Sequence, residues 1–327
     1  MTIVMKGALL AVLVAVVQGM LFLWPTSRDV LHHTYFGAWQ LKHQLLVDPG
    51  RNRIILAGGS NVAFSFDSTT LERALARPTI NMGLHGDLGL AHMAHEVEDG
   101  ARAGDLVVLI PEYEHFYGDT LNGAQAAAEV VQYQWSALRY FSSWRQWRNL
   151  AANSRALTSA AAIALLDQSK ERLLRHPAAE RGTTVYRRDA FDAHGDMVAH
   201  LQLESEPERV VASMDRIEGE FNQAAVDVIV RCAETLAKRG ASFVIVFPAV
   251  AAGYWAVNQD LANQVATRLP VGLTLKTPQD SVFDDRWFFD SVYHLNRKGR
   301  AERTRQVVEV LQANAAGSRQ TSATSSF

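Results

Sequence analysis

The chain holds one cysteine, Cys232, in 327 residues, so it can form no intramolecular disulfide and no cysteine-rich zinc site. It also lacks an excess of positive charge. Its 32 Lys and Arg stand against 34 Asp and Glu, a net −2, which argues against nucleic acid as a partner. The H-E-x-x-H pair of zinc hydrolases is missing. So are the glycine fingerprint of dinucleotide-binding folds and the lysine that completes a phosphate-binding loop. No internal repeat is evident. Charged residues make up 20% against 48% hydrophobic ones, which excludes a disordered chain and permits a substantial core.

What the chain does have begins at its N-terminus. From Gly7 to Trp24 it reads GALLAVLVAVVQGMLFLW, with Gln18 the only clearly polar residue. As a helix this run covers about 27 Å, close to a hydrocarbon core of roughly 30 Å. No small-residue cleavage site follows; Phe22, Leu23, Trp24 and Pro25 come instead. Residues 1–27 are therefore expected to be an uncleaved signal anchor forming a single transmembrane helix. Lys6 precedes the span, and Arg28 and Lys42 follow at greater distance. That bias favours a single-pass protein of the inner (cytoplasmic) membrane whose body faces the periplasm or extracytoplasmic side.

Residues 28–52 read as a membrane-proximal helix, over Asp29–Val47, and a linker at Pro49-Gly50. Thereafter short apolar runs alternate with helical periodicity. Strands are expected at Arg53–Ala57, around Thr79 and Ile80, at Asp105–Ile110, at Ser242–Phe247 and, weakly, at Val271–Leu275. Helices are expected after Asp67 as a cap, over Leu88–Ala103, Asp215–Arg239 ending at Gly240, Asn258–Arg268, and Lys298–Gln312. The alternation predicts an α/β layered fold with a mostly parallel central sheet over residues 53–314. Residues of about 124–214 break the rhythm and read as a helical, lid-like insertion. Residues 315–327, rich in Ser, Thr and Ala, are expected to be a disordered tail.

In open parallel sheets functional groups gather at the carboxyl ends of strands. Gly58-Gly59-Ser60-Asn61 follows the first strand and would expose the Ser60 hydroxyl on a sharp strand-to-helix turn. A serine becomes a good nucleophile when an imidazole takes its proton. Asp290 and His294, four residues apart before the last helix, supply a carboxylate that can orient such an imidazole.

Together these segments resemble the SGNH (GDSL-like) hydrolase superfamily over about Arg53 to Val310, the insertion apart. The resemblance implies a three-layer α/β fold, with ILAGGSN as the serine block and Ser60 as nucleophile. It implies that Asn81-Met82-Gly83 is the second block, where the Gly83 amide helps line the oxyanion hole, and that Asp290 and His294 complete a triad. His294-Leu-Asn-x-x-Gly299 is similar to membrane-anchored members linked to acylation or deacylation of cell-surface polysaccharides.

The chain departs from that pattern in three places. Gly59 stands where many members have aspartate. Pro111-Glu112-Tyr113-Glu114 follows the third strand, where an asparagine is usual, and the next asparagine is Asn122. Either Asn61 or a backbone amide substitutes, or the enzyme is slow. Asp290 lies four residues before His294 where three is commoner, so Asp284 and Asp285 are alternatives. Glu112 and Glu114 could bind a sugar hydroxyl, position His294, or simply be solvated or paired. His85, just past the second block, would border the mouth of the site.

Two other constellations compete. His85, Asp87, His92, His95, Glu96 and Asp99 suggest a metal cluster or, more simply, a polar helix face; no metal and no cofactor is expected. Between Val130 and Leu166 there is no Asp, Glu or Lys, while Arg139, Arg145, Arg148 and Arg155 give +4. Tyr140, Phe141, Trp144 and Trp147 match one helix face, which could pack as core, lie on an anionic membrane surface or stack on sugar rings. Arg297, Lys298, Arg300, Arg303 and Arg305 read as an exposed basic face, with contact to anionic glycan or lipid as the alternative.

The expected function is a membrane-anchored serine esterase or O-acyltransferase acting on acyl esters, acetyl esters first among them, of an extracytoplasmic polysaccharide. Its expected partners are the polysaccharide or acyl-sugar substrate, the membrane and an integral-membrane acyl donor protein. The alternative is a catalytically weak scaffold that binds polysaccharide or an export complex.

Overall fold

The computed structural model describes residues 3–23, 34–154, 157–158 and 185–324. Along the chain come α1 (Ile3–Leu23), α2 (Ala38–Val47), β1 (Ile54–Gly58), α3 (Ser60–Ser65), α4 (Ser68–Leu75) and β2 (Thr79–Asn81). Then follow α5 (Leu90–Gly100), β3 (Leu106–Ile110), α6 (Gln125–Tyr133), α7 (Pro207–Ala212), α8 (Gln223–Lys238) and β4 (Ser242–Val246). The chain closes with β5 (Val250–Ala251), α9 (Ala252–Arg268), β6 (Thr274–Leu275), β7 (Val282–Phe283) and α10 (Arg297–Thr324).

Five strands form one parallel sheet in the order β2-β1-β3-β4-β6, and β5 pairs with β7 beside it. The central strands are apolar on both faces, as a sheet covered on both sides requires. Ile54, Leu56, Val108, Ile110, Val244 and Val246 pack against Val62, Phe66, Leu71, Val307 and Leu311 of the α3, α4 and α10 side. Their neighbours Ile55, Ala57, Val107, Leu109 and Ile245 pack against α5, α8 and α9. Each such buried aliphatic side chain contributes about 1.5–3 kcal/mol. The α/β architecture with a mostly parallel sheet is as expected.

The local signals are mostly where the sequence puts them. Asp67 caps α4 by accepting from the Thr70 amide at 3.0 Å. Gly240, at φ +77, follows α8. Other boundaries shift. The helix expected from Asp215 starts at Gln223, because the Asn222 side chain caps it by accepting from the Ala224 amide. Helix α9 starts at Ala252, earlier than Asn258. The tail expected to be disordered is helical as far as Thr324; it contains no proline to stop α10.

The insertion also differs from expectation. Tyr140 ends a 3-10 turn (Trp135–Tyr140) and Phe141 is extended, so the four aromatics do not share one helix face. Tyr140 is core, whereas Trp135, Trp144 and Trp147 are 72%, 74% and 46% exposed. The basic cluster is exposed only in part, at Arg297, Lys298 and Arg305. Arg300 is buried against Asp196 at 2.9 Å, and buried Arg303 bonds the Phe247 carbonyl.

Of the expected anchor, residues 1–27, residues 1–2 and 24–27 lie outside those described. Among the described residues no helix is long and apolar enough to cross a membrane. The described apolar side chains of α1, including Leu9, Leu10, Val12, Leu13, Val14 and Met20, are exposed.

Candidate active site

The sheet order reverses at β1, which has β2 on one side and β3 on the other. Such a switch point opens a crevice beyond the strands' carboxyl ends. The register pairs Gly58 with Ile110, so Gly59-Ser60 leaves the sheet beside Pro111-Glu112. Ser60 is the first residue of α3, on the sharp turn expected of it. Close approach explains the two glycines before it. A Cβ on Gly58 would fall 2.4 Å from the Ile110 carbonyl oxygen, and one on Gly59 would fall 2.3 Å from Glu112 Oε1. The space that an acidic side chain at position 59 would need is filled by Glu112.

Asp290 and His294 are joined through Oδ1 and Nδ1 at 2.8 Å, and the Asp290 side chain is 0% exposed. The imidazole stacks on Phe64, centroids 4.0 Å apart and planes within 9°. Phe64 lies one turn after Ser60 on α3, so the stack brings the base alongside the serine's helix. Among the described residues Ser60 and His294 make no direct hydrogen bond; catalytic bonds in unliganded enzymes are often long. The alternative carboxylates are engaged elsewhere: Asp284 pairs with Arg286 at 2.7 Å, and Asp285 accepts from the Gly253 amide at 3.0 Å.

Tyr186, in the insertion, donates to Asp290 Oδ2 at 2.5 Å, and Arg209 sits 3.5 Å from the same oxygen. Burial by itself would raise the Asp290 carboxyl. The hydrogen bond and charge of His294, the Tyr186 hydroxyl and the Arg209 charge outweigh it and hold Asp290 below the usual carboxylate range. Asp290 is therefore an ionised acceptor, and Nδ1 carries the imidazole proton. Neither Tyr186 nor Arg209 was signalled by spacing, since both come from the irregular insertion. Replacing Tyr186 by Phe removes one bond to a charged acceptor. It is expected to lower kcat by about tenfold with KM little changed, measured by steady-state ester hydrolysis.

The expected oxyanion residues are placed differently from one another. Asn61 is buried, and its side chain donates to the Ile110 carbonyl at 3.0 Å. Asn81 accepts from the Gly83 amide at 2.9 Å and donates to Val62 O and Asp196 Oδ1. The Gly83 amide is thus satisfied within its own turn. His85 lies beside Phe36, with its Nδ1 accepting from the Asp87 amide at 3.1 Å. Burial first, and then the nearby His294, lower its basicity against the pull of Asp87. Asn122 bonds Asp119 and Ser143 in another part of the molecule.

Glu112 and Glu114 part company. Glu114 is structural, with its oxygens accepting from Tyr254 at 2.6 Å and Tyr293 at 2.7 Å. Glu112 lies at the serine turn. Its Oε1 accepts from the Asn61 amide at 3.3 Å, and its Oε2 lies 2.1 Å from where a Cβ on Gly86 would be. Burial, followed by the repulsion of Glu114 and Asp87, pushes its carboxyl up to about 8 against the Asn61 amide and the Ser60 side chain.

Among the described residues no group of three or more His, Cys, Asp or Glu could hold a metal ion. In the histidine-rich segment, Glu96 pairs with His43 at 3.1 Å and lies 3.8 Å from His92, which is buried. A cavity of about 450 Å³ bounded by His95, Asn122, Ser143, Arg145 and Arg231 touches none of the catalytic candidates. No protein-family model matches the chain, and no curated protein matches it.

Proposed function

We propose that the chain is an SGNH-like serine esterase or O-acyltransferase acting on acyl esters of an extracytoplasmic polysaccharide. The observation that carries this reading is the Asp290–His294 pair stacked on the helix that Ser60 begins, at the switch point of the sheet. Ser60 Oγ attacks the acyl carbonyl carbon while its proton passes to His294 Nε2. The tetrahedral oxyanion collapses, the alcohol leaves with that proton, and acyl-Ser60 remains. Water or a sugar hydroxyl, deprotonated by His294, then takes the acyl group, and His294 returns the proton to Ser60 Oγ as the acyl–serine bond breaks. Hydrolysis and transfer share the first half-reaction. Transfer would call for an integral-membrane acyl donor protein as partner.

The exposed apolar side chains of α1 support attachment to the inner membrane, with the body on the extracytoplasmic side. The exposed Trp135, Trp144 and Trp147 fit contact with lipid or with sugar rings. A second reading, a weakly active scaffold that binds polysaccharide, draws support from the Gly83 amide already bonded to Asn81.

The test is fluorophosphonate labelling of the full-length chain in detergent. One labelled serine is expected, lost in Ser60→Ala. A folded parent that stays unlabelled, while binding polymer as well as Ser60→Ala and His294→Ala do, would move the reading to the scaffold.

A further inference from the structure

The serine turn has a carboxyl side chain that the mechanism above leaves idle, and it stands where the asparagine is missing. We propose that Glu112 acts as a neutral carboxylic acid and donates the hydrogen bond to the oxyanion that asparagine would otherwise supply. This assignment rests on Ser60 being the nucleophile.

The argument begins with position. The carboxyl group is wedged between Gly59 and Gly86, and both places would clash with any side chain larger than glycine's. Two elements thus yield space to this one group. Oε1 accepts from the Asn61 amide, so in the neutral acid Oε2 is left to carry the proton. The residue is 9% exposed.

The groups facing Glu112 come from every side of the crevice. Glu114 lies on the same turn, and Asp87 belongs to the 3-10 turn Gly86–Leu88. Tyr35 comes from the segment before α2, and Tyr293 from the loop before α10. His85 lies next to Asp87, and His115 Nε2 meets the Gly86 carbonyl at 2.9 Å. Burial acts most on Glu112, and the two charges that act on it, Glu114 and Asp87, are both acidic and add to that effect. An ionised carboxylate here would repel the negative charge that develops on the substrate oxygen. A neutral acid stabilises it, as buried, protonated carboxyls do in other oxyanion sites. At neutral pH the environment favours that acid form.

The test uses the full-length chain in detergent and p-nitrophenyl acetate as probe. In the parent, kcat is expected to fall as pH rises through about 8. Glu112→Gln, whose amide also donates, should keep kcat within about tenfold at pH 7 and lose that alkaline decline. Glu112→Ala should lose about 10²–10³ in kcat with KM little changed. A Glu112→Gln variant as impaired as Glu112→Ala overturns the proposal, because the carboxylate would then be the working form. An unimpaired Glu112→Ala overturns it as well.

A readout independent of activity separates this proposal from the one on which it rests. The infrared difference between parent and Glu112→Gln should contain a protonated-carboxyl band at pH 7 that disappears as pH rises through about 8. Serine labelling together with an ionised Glu112 overturns the donor assignment alone. A protonated Glu112 in a chain whose serine never labels overturns the Ser60 reading and the assignment with it.

Discussion

His294→Ala is expected to lower kcat for acetyl-ester hydrolysis by on the order of 10⁴ or more, and Asp290→Asn by about 10⁴, with KM changed little in either. The two losses have different origins. Removing the imidazole takes away the acceptor for the Ser60 proton. Removing the charge of Asp290 leaves the ring in place and alters which nitrogen is free. The ionised Asp290 only accepts, so Nδ1 must donate across the 2.8 Å contact and Nε2 keeps its lone pair for Ser60. An asparagine at 290 can turn its NH2 toward Nδ1 and favour the opposite tautomer, with the proton on Nε2. Because Asp290 is held below the usual carboxylate range, its own protonation cannot account for loss of activity near neutral pH. Asp290→Asn retaining more than about a tenth of the parent's kcat would show that the pair is structural.

How much of this was legible beforehand depends on how local each signal is. The strands Ile54–Gly58, Leu106–Ile110 and Ser242–Val246 are continuous apolar runs ended by glycine or proline, and no other element suits such runs in a buried sheet. The turn at Ser60 and the spacing of Asp290 from His294 are equally local. The pairs Val250–Ala251 and Val282–Phe283 are too short for any periodicity. Arg300 and Arg303 share an amphipathic stretch with exposed Arg305, and nothing in the spacing tells which guanidinium will meet the buried Asp196. Tyr186 reaches Asp290 across 104 residues, and Glu112 reaches the Asn61 amide across 51. Such contacts are set by strand register and by the path of the insertion. The glycine at 59, which looked like a departure from a familiar pattern, acquires its reason only when Glu112 is seen to fill the space beside it.

The base of the same strand carries the largest expected effect on stability. Arg53→Ala should destabilise the fold by about 3–5 kcal/mol, the range for breaking a buried ion pair from one side. The guanidinium sits 2.8 Å from Asp105 Oδ2 and donates to the Leu46 carbonyl at 2.8 Å and the Gly100 carbonyl at 3.1 Å. Leu46 and Gly100 lie in the last turns of α2 and α5, whose final carbonyls have no acceptor role left within their helices. One side chain therefore closes two helix ends and neutralises a carboxylate that is itself 0% exposed. Asp105 also accepts from the Arg53 and Arg102 amides, so it cannot turn outward when the guanidinium is lost. Lysine should not restore the loss, because a single ammonium cannot span both helix ends and the carboxylate. Thermal unfolding should shift down by on the order of 10 °C for Arg53→Ala and Arg53→Lys alike. Serine labelling per folded molecule should remain, since Arg53 and Ser60 lie at opposite ends of β1. A double-mutant cycle with Asp105→Ala gives the decisive number. Coupling below about 0.5 kcal/mol would mean that the helix-end carbonyls, and not the carboxylate, hold Arg53 in place.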